Sequence, residues 1–397
     1  MGFFNAADIQ QVPQQAKRLS HCGRCGLAQR CITPRMEPTG QGERSVLFVA
    51  EAPGETEDRR GVQLVGDAGK LLRRELRSIG EDLDECWKTN AVICRPPGNR
   101  MKDVYIECCR PNLLRTVREL KPNVIVALGG SATQSLLPLD TKLKLKPATK
   151  WNGYTIPSPF YNAWICPTFH PSFIKRMDEN PVLLLLFKEH LKQAFALASN
   201  PPQVHSLEDL SKQVEVIIDP KKGRSRMRDL CDAEGLLAFD YETTGLKPER
   251  KGHRIVTCSF CLDGEDTFAC PIEEKSLGVL SRVLRNPKLG KIASNMKFEE
   301  RWSHFFLGHG VENWYWDTML NAHIIDNMPG ITSLKFQAYV HFGVGDYDSH
   351  IKPYLHSSNP TRMNRIDKVE LKSLLLYNGL DALLEYMLME KQREVLH

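Results

Sequence analysis

Two tandem α/β domains, the first on a largely parallel sheet, are what the sequence predicts, and three observations predict them. At 397 residues the chain is long enough for two ordinary cores. Its first half alternates short apolar runs with helix-like segments, the pattern of strand–helix–strand units. At Ser199-Asn-Pro-Pro-Gln203 that pattern breaks and a new set of strands begins, which places the domains at residues 1–200 and 204–397.

In the first half, a strand at Ser45–Val49 runs into the loop Ala50-Glu-Ala-Pro-Gly54, and Lys70–Ile79 reads as a helix. Lys88–Val92 is strand-like and leads into Cys94-Arg-Pro-Pro-Gly-Asn-Arg100. A helix near Pro111–Leu120 precedes the strand Asn123–Leu128, whose unbroken apolar run implies burial on both faces. Ala163–Pro167 is a further strand, ending at Phe169-His-Pro171, and Pro181–Ala198 closes the domain as a helix. The polar loops follow strands, where open α/β sheets place their sites. In the second half, a helix at Leu207–Gln213 and a strand at Val214–Ile218 come first. The basic run Lys221-Lys-Gly-Arg-Ser-Arg226 follows and is read as a solvated loop. Gly235–Tyr241 and Ile255–Cys261 are strands, and the remainder is expected to be mostly helical.

Composition bounds the function. Hydrophobic residues at 42% and charged residues at 25% are ordinary for a globular protein, and a net charge of +5 is compatible with a nucleic-acid partner. Met1–Leu19 is polar and lacks the apolar core of a signal peptide, and the longest apolar run, Val182–Phe187, is far too short to cross a bilayer. The chain therefore reads as cytoplasmic, without a membrane partner. Its 12 cysteines then read as ligands and buried thiols rather than disulfides.

The sharpest pattern is Phe239-Asp-Tyr-Glu-Thr-Thr-Gly-Leu246. Asp240 and Glu242 stand two apart on a strand and so share one face. Paired carboxylates repel unless a cation lies between them, and hard oxygen donors select Mg²⁺ or Mn²⁺. Gly245 permits a sharp turn. Ser294-Asn-Met-Lys-Phe-Glu-Glu300 follows the short strand Lys291–Ile292, trailed by Trp316-Asp-Thr-Met-Leu320. Tyr377-Asn-Gly-Leu-Asp381 puts Tyr377 and Asp381 four apart on one helical face. Cys258 and Cys261 lie in a strand at an offset that points them to opposite faces, which makes them core thiols.

These three motifs, in this order, resemble the proofreading 3′→5′ exonucleases of the DEDDy subgroup, the ribonuclease-H-like domain attached to family-A DNA polymerases. The resemblance covers Val204 to the C-terminus. It implies Asp240, Glu242 and Asp381 as ligands of two metal ions, with Tyr377 orienting the attacking water. Glu299 stands where the family usually has Asp, which implies altered metal geometry with activity retained. Asn295 orients the loop or substrate.

The first half carries Cys22 and Cys25, then Cys94 and the doublet Cys108-Cys109. Four thiolates of this kind can hold Zn²⁺ or an iron–sulfur cluster, and spacing does not separate the two. Ala50-Glu-Ala-Pro-Gly-Glu-Thr-Glu-Asp58, Leu64-Val-Gly-Asp-Ala-Gly69, Thr89-Asn90, Cys94-Arg-Pro-Pro-Gly-Asn-Arg100 and Phe169-His-Pro171 then occur in order. Over residues 20–195 this set resembles family 4 uracil-DNA glycosylases, which carry a [4Fe–4S] cluster in a parallel-sheet α/β sandwich. The resemblance implies Cys22, Cys25, Cys94 and Cys109 as cluster ligands. Cys108 stays an alternative, because the interval from Cys94 is one residue short, and Cys31 is a bystander. It implies Glu51 beside the cationic sugar, His170 as donor to the departing uracil and Asn90 as reader of the uracil edge. Two positions depart from the pattern: Leu64 replaces the pocket aromatic, and Ala50 replaces the first glycine of its motif.

Three functional readings follow. One is a replication or repair enzyme that trims DNA 3′ ends in one domain and excises uracil weakly in the other. The second is a proofreading subunit for a polymerase on another chain, an arrangement at home in bacteriophage replication, in which the glycosylase-like domain only grips DNA or a partner. A scaffold with both sites dead is the third, and the intact exonuclease motifs oppose it.

Overall fold

The computed structural model describes residues 22–396 apart from 140, 356, 358 and 360, so the polar opening segment Met1–Leu19 lies outside the described residues. The chain divides into two compact units, Met1–Val204 and His205–His397. No helix among the described residues is long and apolar enough to cross a membrane.

The first unit is a five-stranded sheet of β1 (Val46–Ala50), β2 (Trp87–Asn90), β3 (Val124–Leu128), β4 (Ile156–Ser158) and β5 (Ala163–Thr168), in the order β2-β1-β3-β5-β4. All neighbours are parallel except β4, which runs against β5. Every residue of β1 and β3 is buried, which is why both read as unbroken apolar runs. Because β1, β2 and β5 point the same way, the residues following them emerge at one edge of the sheet. Ala50 is registered with Asn90 there.

Two expectations for the first unit need correction. The helix placed near Pro111 begins at Asp103 and runs through Pro111 to Leu120. A proline costs a helix one N–H and crowds the preceding turn, so the sequence pattern marks it as a start. Here burial of Ile106, Cys109, Leu113 and Val117 carries the helix across it. Strand β4, only three residues long and holding Pro157, was not expected.

The second unit is a six-stranded sheet: β6 (Val214–Val216), β7 (Gly235–Thr243), β8 (Ile255–Leu262), β9 (Asp266–Pro271), β10 (Leu289–Ala293) and β11 (Trp314–Asp317), in the order β11-β10-β7-β8-β9-β6. The central meander β7–β8–β9 is antiparallel, and the outer pairs are parallel. Strands β9 and β11 correct the expectation of a mostly helical remainder. The hairpin into β9 turns on Asp263 and Gly264, at φ 51° and 78°, a pairing that matches the strand twist.

The basic run is likewise not a loop. It lies in the helix Pro220–Leu230, started by the Asp219 side chain accepting from Lys221 N–H and by Pro220 in the first turn. Arg226 bonds Glu215 and Asp266 and lies 4.7 Å over the Phe268 ring.

The helix Leu371–Leu396 packs across β6, β7, β8 and β9. Its approach is close at Gly379, where an added methyl would come within 2.3 Å of Val214 Cγ1. Cys261 belongs to the core on this side of the sheet and Cys258 to the core on the other. The two thiols point to opposite faces.

Candidate active sites

In the second unit, strand alternation does what period two requires. Phe239 and Tyr241 enter the core of one face, and Asp240 and Glu242 project from the other. The helix laid over that face brings Asp381 to them. One carboxylate oxygen from each of Asp240, Glu242 and Asp381 lies within 4.8 Å of the others, with Glu242 and Asp381 buried. Asn378, between Tyr377 and Asp381 on the helix, donates to Asp240 Oδ2 at 2.7 Å and accepts from Thr257 Oγ1 at 2.8 Å, which fixes the strand carboxylate against the helix.

Burial pushes the carboxyls of Asp240 and Glu242 well above the usual range, and the neighbouring carboxylates push them further. Lys335 opposes this. Its ammonium is hydrogen-bonded to Asp381 Oδ1 and to Tyr347 Oη at 2.8 Å, and lies 4.3 Å and 4.5 Å over the rings of Tyr347 and Tyr377. Tyr347 donates to the same Asp381 oxygen. The Tyr377 phenol is raised by burial first and then by Asp381 and Glu242, so it stays protonated beside them.

Glu299 arrives from the first turn of the helix Met296–Leu307. It is 2% exposed, and its Oε2 has no hydrogen-bond partner. Asn295 precedes that helix in the left-handed region, at φ 70°, a conformation asparagine tolerates. Asp317 holds this corner: its carboxylate accepts from the N–H groups of Asn295 and Met296, both at 3.1 Å. Gly245 is needed for a reason other than a turn angle, since a methyl there would come within 2.3 Å of the His253 ring.

The sequence reading gives no role to Lys335, Tyr347, Asp317 or Glu385. Glu385 carried a signal, being four residues beyond Asp381 on the same helical face. Lys335 carried none, standing among apolar residues of the helix Leu334–Phe342. The donor set suits divalent cations. Hard oxygens converge, one ammonium partly offsets them, and buried oxygens of Glu299 and Glu385 lack partners.

In the first unit, the residues following β1, β2 and β5 line one cavity of about 280 Å³. Ala50, Glu51, Leu64, Asn90 and His170 share its wall with Glu57, Ser172 and Arg176. His170 Nδ1 accepts from Ser172 N–H at 3.1 Å, so the neutral ring carries its proton on Nε2. Burial lowers the His170 pKa, against a raising influence from Glu51, and the ring stays neutral near pH 7. Glu51 accepts from Ser131 Oγ at 2.6 Å. Asn90 is 2% exposed, and its Nδ2 is a buried donor without a partner. Leu64, at φ 52°, is buried in the same wall.

Beside this cavity the thiols gather. Cys94 and Cys109 are buried, with Cys25 and Cys31 packed against them, and Cys22 and Cys25 lie close enough to act on the Cys109 sulfur. Cys109 Sγ accepts from Ile93 N–H at 3.3 Å and Asn112 Nδ2 at 3.5 Å, and Cys94 Sγ from Arg35 N–H at 3.2 Å. Burial pushes the thiols of Cys94 and Cys109 up to about 12 and about 11.

Comparison with known proteins matches this division. The uracil DNA glycosylase superfamily profile covers residues 38–197, and a 3′-5′ exonuclease profile covers residues 214–395. The type-4 uracil-DNA glycosylase of Saccharolobus solfataricus is 34% identical over 166 residues, 41% of this chain and 76% of that protein. That of Thermotoga maritima is 32% identical over 179 residues, 44% of this chain and 88% of its own length. A DNA polymerase of Bacillus phage SP01 is 25% identical over 339 residues, 78% of this chain but 36% of the polymerase, so the alignment spans parts of both units. Among solved structures, Escherichia coli RNase D aligns at 15% identity and a TM-score of 0.35, over 46% of this chain and 44% of that one. The chain belongs to the type-4 uracil-DNA glycosylases through its first unit and joins to it a 3′→5′ exonuclease domain, which makes it an enzyme of DNA replication or repair.

Proposed function

We propose that residues 204–397 remove nucleotides from DNA 3′ ends with two Mg²⁺ or Mn²⁺ ions, and that residues 1–200 bind uracil in DNA and excise it weakly. The observation that carries the first half is the convergence of Asp240, Glu242 and Asp381 oxygens within 4.8 Å. With Glu299 they would hold the ions. Such ions would supply activation of the attacking water and charge stabilisation for the leaving 3′-oxygen. Tyr377 orients that water through a phenol that burial keeps protonated. Asn378 holds Asp240 in place, and Lys335 limits the repulsion at Asp381. Asn295 positions the loop that delivers Glu299.

In the first unit, His170 presents Nε2–H to the uracil oxygen that gains charge as the glycosidic bond breaks. Glu51, held by Ser131, stabilises the positive sugar, and the unpartnered Asn90 Nδ2 meets the far carbonyl of the base. Cys22, Cys25, Cys94 and Cys109 hold a [4Fe–4S] cluster. Cys109 is preferred to Cys108 because its sulfur accepts two N–H bonds of the kind that tune cluster thiolates.

The alignment with a phage polymerase across parts of both units supports a proofreading partnership with polymerase activity. A second reading, in which the first unit only grips DNA or a polymerase, is favoured by Leu64 and Ala50 in the pocket wall. Purified protein incubated with end-labelled single-stranded DNA, with and without uracil, in Mg²⁺ tests both. Shortening from the 3′ end together with abasic sites supports the first reading, and shortening alone supports the second. The absence of both products would overturn the proposal.

A further inference from the structure

Of the converging trio, Asp381 has an oxygen that is already taken. Lys335, from the first turn of the helix Leu334–Phe342, sets its ammonium in hydrogen-bond contact with Asp381 Oδ1, and the two side chains are 22% and 6% exposed. Tyr347 donates its phenol proton to the same oxygen and accepts from the Lys335 ammonium at 2.8 Å, which closes a triangle among these side chains. The ammonium also lies 4.3 Å from the centre of the Tyr347 ring and 4.5 Å from that of Tyr377. Neither Lys335 nor Tyr347 belongs to the three sequence motifs.

Three carboxylates whose oxygens converge within 4.8 Å call for positive charge among them. The bond from Asn378 to Asp240 supplies a dipole but no charge, and the ion pair with Lys335 supplies one. We propose that Lys335 is the resident cation of the metal-free site. Its ammonium holds Asp381 Oδ1 until a divalent ion takes that oxygen, so the lysine sets how tightly the ion binds. Two features fit an exchangeable occupant better than a fixed staple between helices. First, two donors crowd onto one carboxylate oxygen of a residue whose oxygen the trio offers to an ion. Second, the ammonium has another resting place, because the faces of Tyr347 and Tyr377 attract a cation without help from the carboxylate. Lysine suits this exchange: its charge is compact and its stem flexible, whereas an arginine fork would grip the carboxylate through two bonds. The retreating ammonium stays beside Tyr377, the phenol proposed to orient the attacking water.

This inference rests on the metal-dependent reading of the exonuclease site, and a Mn²⁺ titration of the full, DNA-free chain keeps the two apart. Free Mn²⁺ is followed by its electron paramagnetic resonance signal. Lys335→Met removes the competing charge and should tighten Mn²⁺ binding at least about tenfold, the scale of one charge-assisted hydrogen bond. Lys335→Gln should do likewise, which keeps the test decisive if one variant does not fold. Tyr347→Phe keeps the ring but takes the uncharged donor off the same oxygen, and should tighten binding about threefold. Weaker or unchanged Mn²⁺ binding in either folded lysine variant makes Lys335 a staple for Asp381 and overturns its role as occupant. Tightening in the lysine variants, with Tyr347→Phe at the parental affinity, means that the ammonium acts through charge without occupying the oxygen, which overturns the proposal too. In both cases Mn²⁺ binding by the parent leaves the metal-dependent reading standing. A parent that binds no Mn²⁺ removes both.

Discussion

The first unit and the second leave opposite kinds of polar atom unsatisfied at their sites. In the cavity of the first, the buried atom without a partner is a donor, Asn90 Nδ2, set beside a neutral histidine and a single carboxylate. Around the acidic trio of the second, the unpartnered carboxylate oxygens, on Glu299 and Glu385, are acceptors. An orphaned donor awaits a carbonyl, and orphaned carboxylate oxygens await a cation. The contrast fits the proposed function: a neutral ligand whose charge develops during reaction suits the first site, and divalent cations suit the second.

Removing charge from the second site should therefore have the largest effect. Asp240→Ala takes away a ligand oxygen shared by both ions and should slow 3′-end digestion by at least about 10³-fold, because charge stabilisation dominates such catalysis. The iron content should stay unchanged. Digestion at the parental rate, with contaminating nuclease excluded, would sink the assignment. Cys94→Ser is the converse. It should lose the brown absorbance near about 400 nm and destabilise the first unit, since metal binding is coupled to folding. Stoichiometric zinc without iron in anaerobically purified protein would break this side of the comparison.

Lys335→Met sharpens the account of charge. It strips Asp381 of its ammonium, and breaking a buried ion pair costs about 3 kcal/mol. The unfolding midpoint of metal-free protein should fall, and Mn²⁺ should restore most of the loss. A fall that Mn²⁺ leaves untouched would mean that Lys335 supports packing instead.

How much of this was legible depends on period. Asp240 with Glu242, and Tyr377 with Asp381, follow directly from strand and helix spacing. Glu385 obeys the same four-residue rule, but the motif ends at Asp381 and the reading stopped there. Lys335 was hidden because its meaning comes from a contact with Asp381, 46 residues away. Asp317 was quoted as part of a segment, yet its work is to bind the N–H groups of Asn295 and Met296, which only the folded corner reveals. In the first unit the strand-following loops could be ordered along the chain. The helix carrying Cys109 was cut short because Pro111 looks like a boundary.

Acidity offers a gentler test. The carboxyls of Asp240, Glu242, Glu299 and Glu385 are raised in the fold, above the value of about 4 they have in an unfolded chain. Groups shifted this way contribute stability below their unfolded pKa and lose it as pH rises through the raised values. The metal-free second unit should therefore melt at lower temperature as pH climbs from about 5 to about 8. Saturating Mn²⁺ should abolish that fall, with protons released as the ion binds, measurable by calorimetry in buffers of different ionisation enthalpy. A pH-independent Mn²⁺ affinity would contradict the raised carboxyls.

The smallest expected effect lies in the uracil pocket. Leu64 offers the base an aliphatic surface where the related glycosylases are expected to offer a ring. Stacking on an aromatic is worth about 1–3 kcal/mol, and an apolar side chain recovers part of that by excluding water. Gly69 packs tightly against this backbone, since a methyl on it would come within 1.9 Å of the Leu64 carbonyl oxygen. A larger side chain at position 64 is expected to extend into the cavity that Leu64 lines. Leu64 already sits at φ 52°, so Leu64→Phe adds no new backbone strain of kind. Glu51 and His170 keep their partners. We expect Leu64→Phe to raise the yield of abasic sites on uracil-containing single-stranded DNA by about tenfold, equivalent to about 1.4 kcal/mol. Exonuclease rate should not change, because its carboxylates lie in the other unit. If parent and variant alike leave uracil in place, the cavity is a grip and not a glycosylase, and the orphaned Asn90 donor holds a base that is never released.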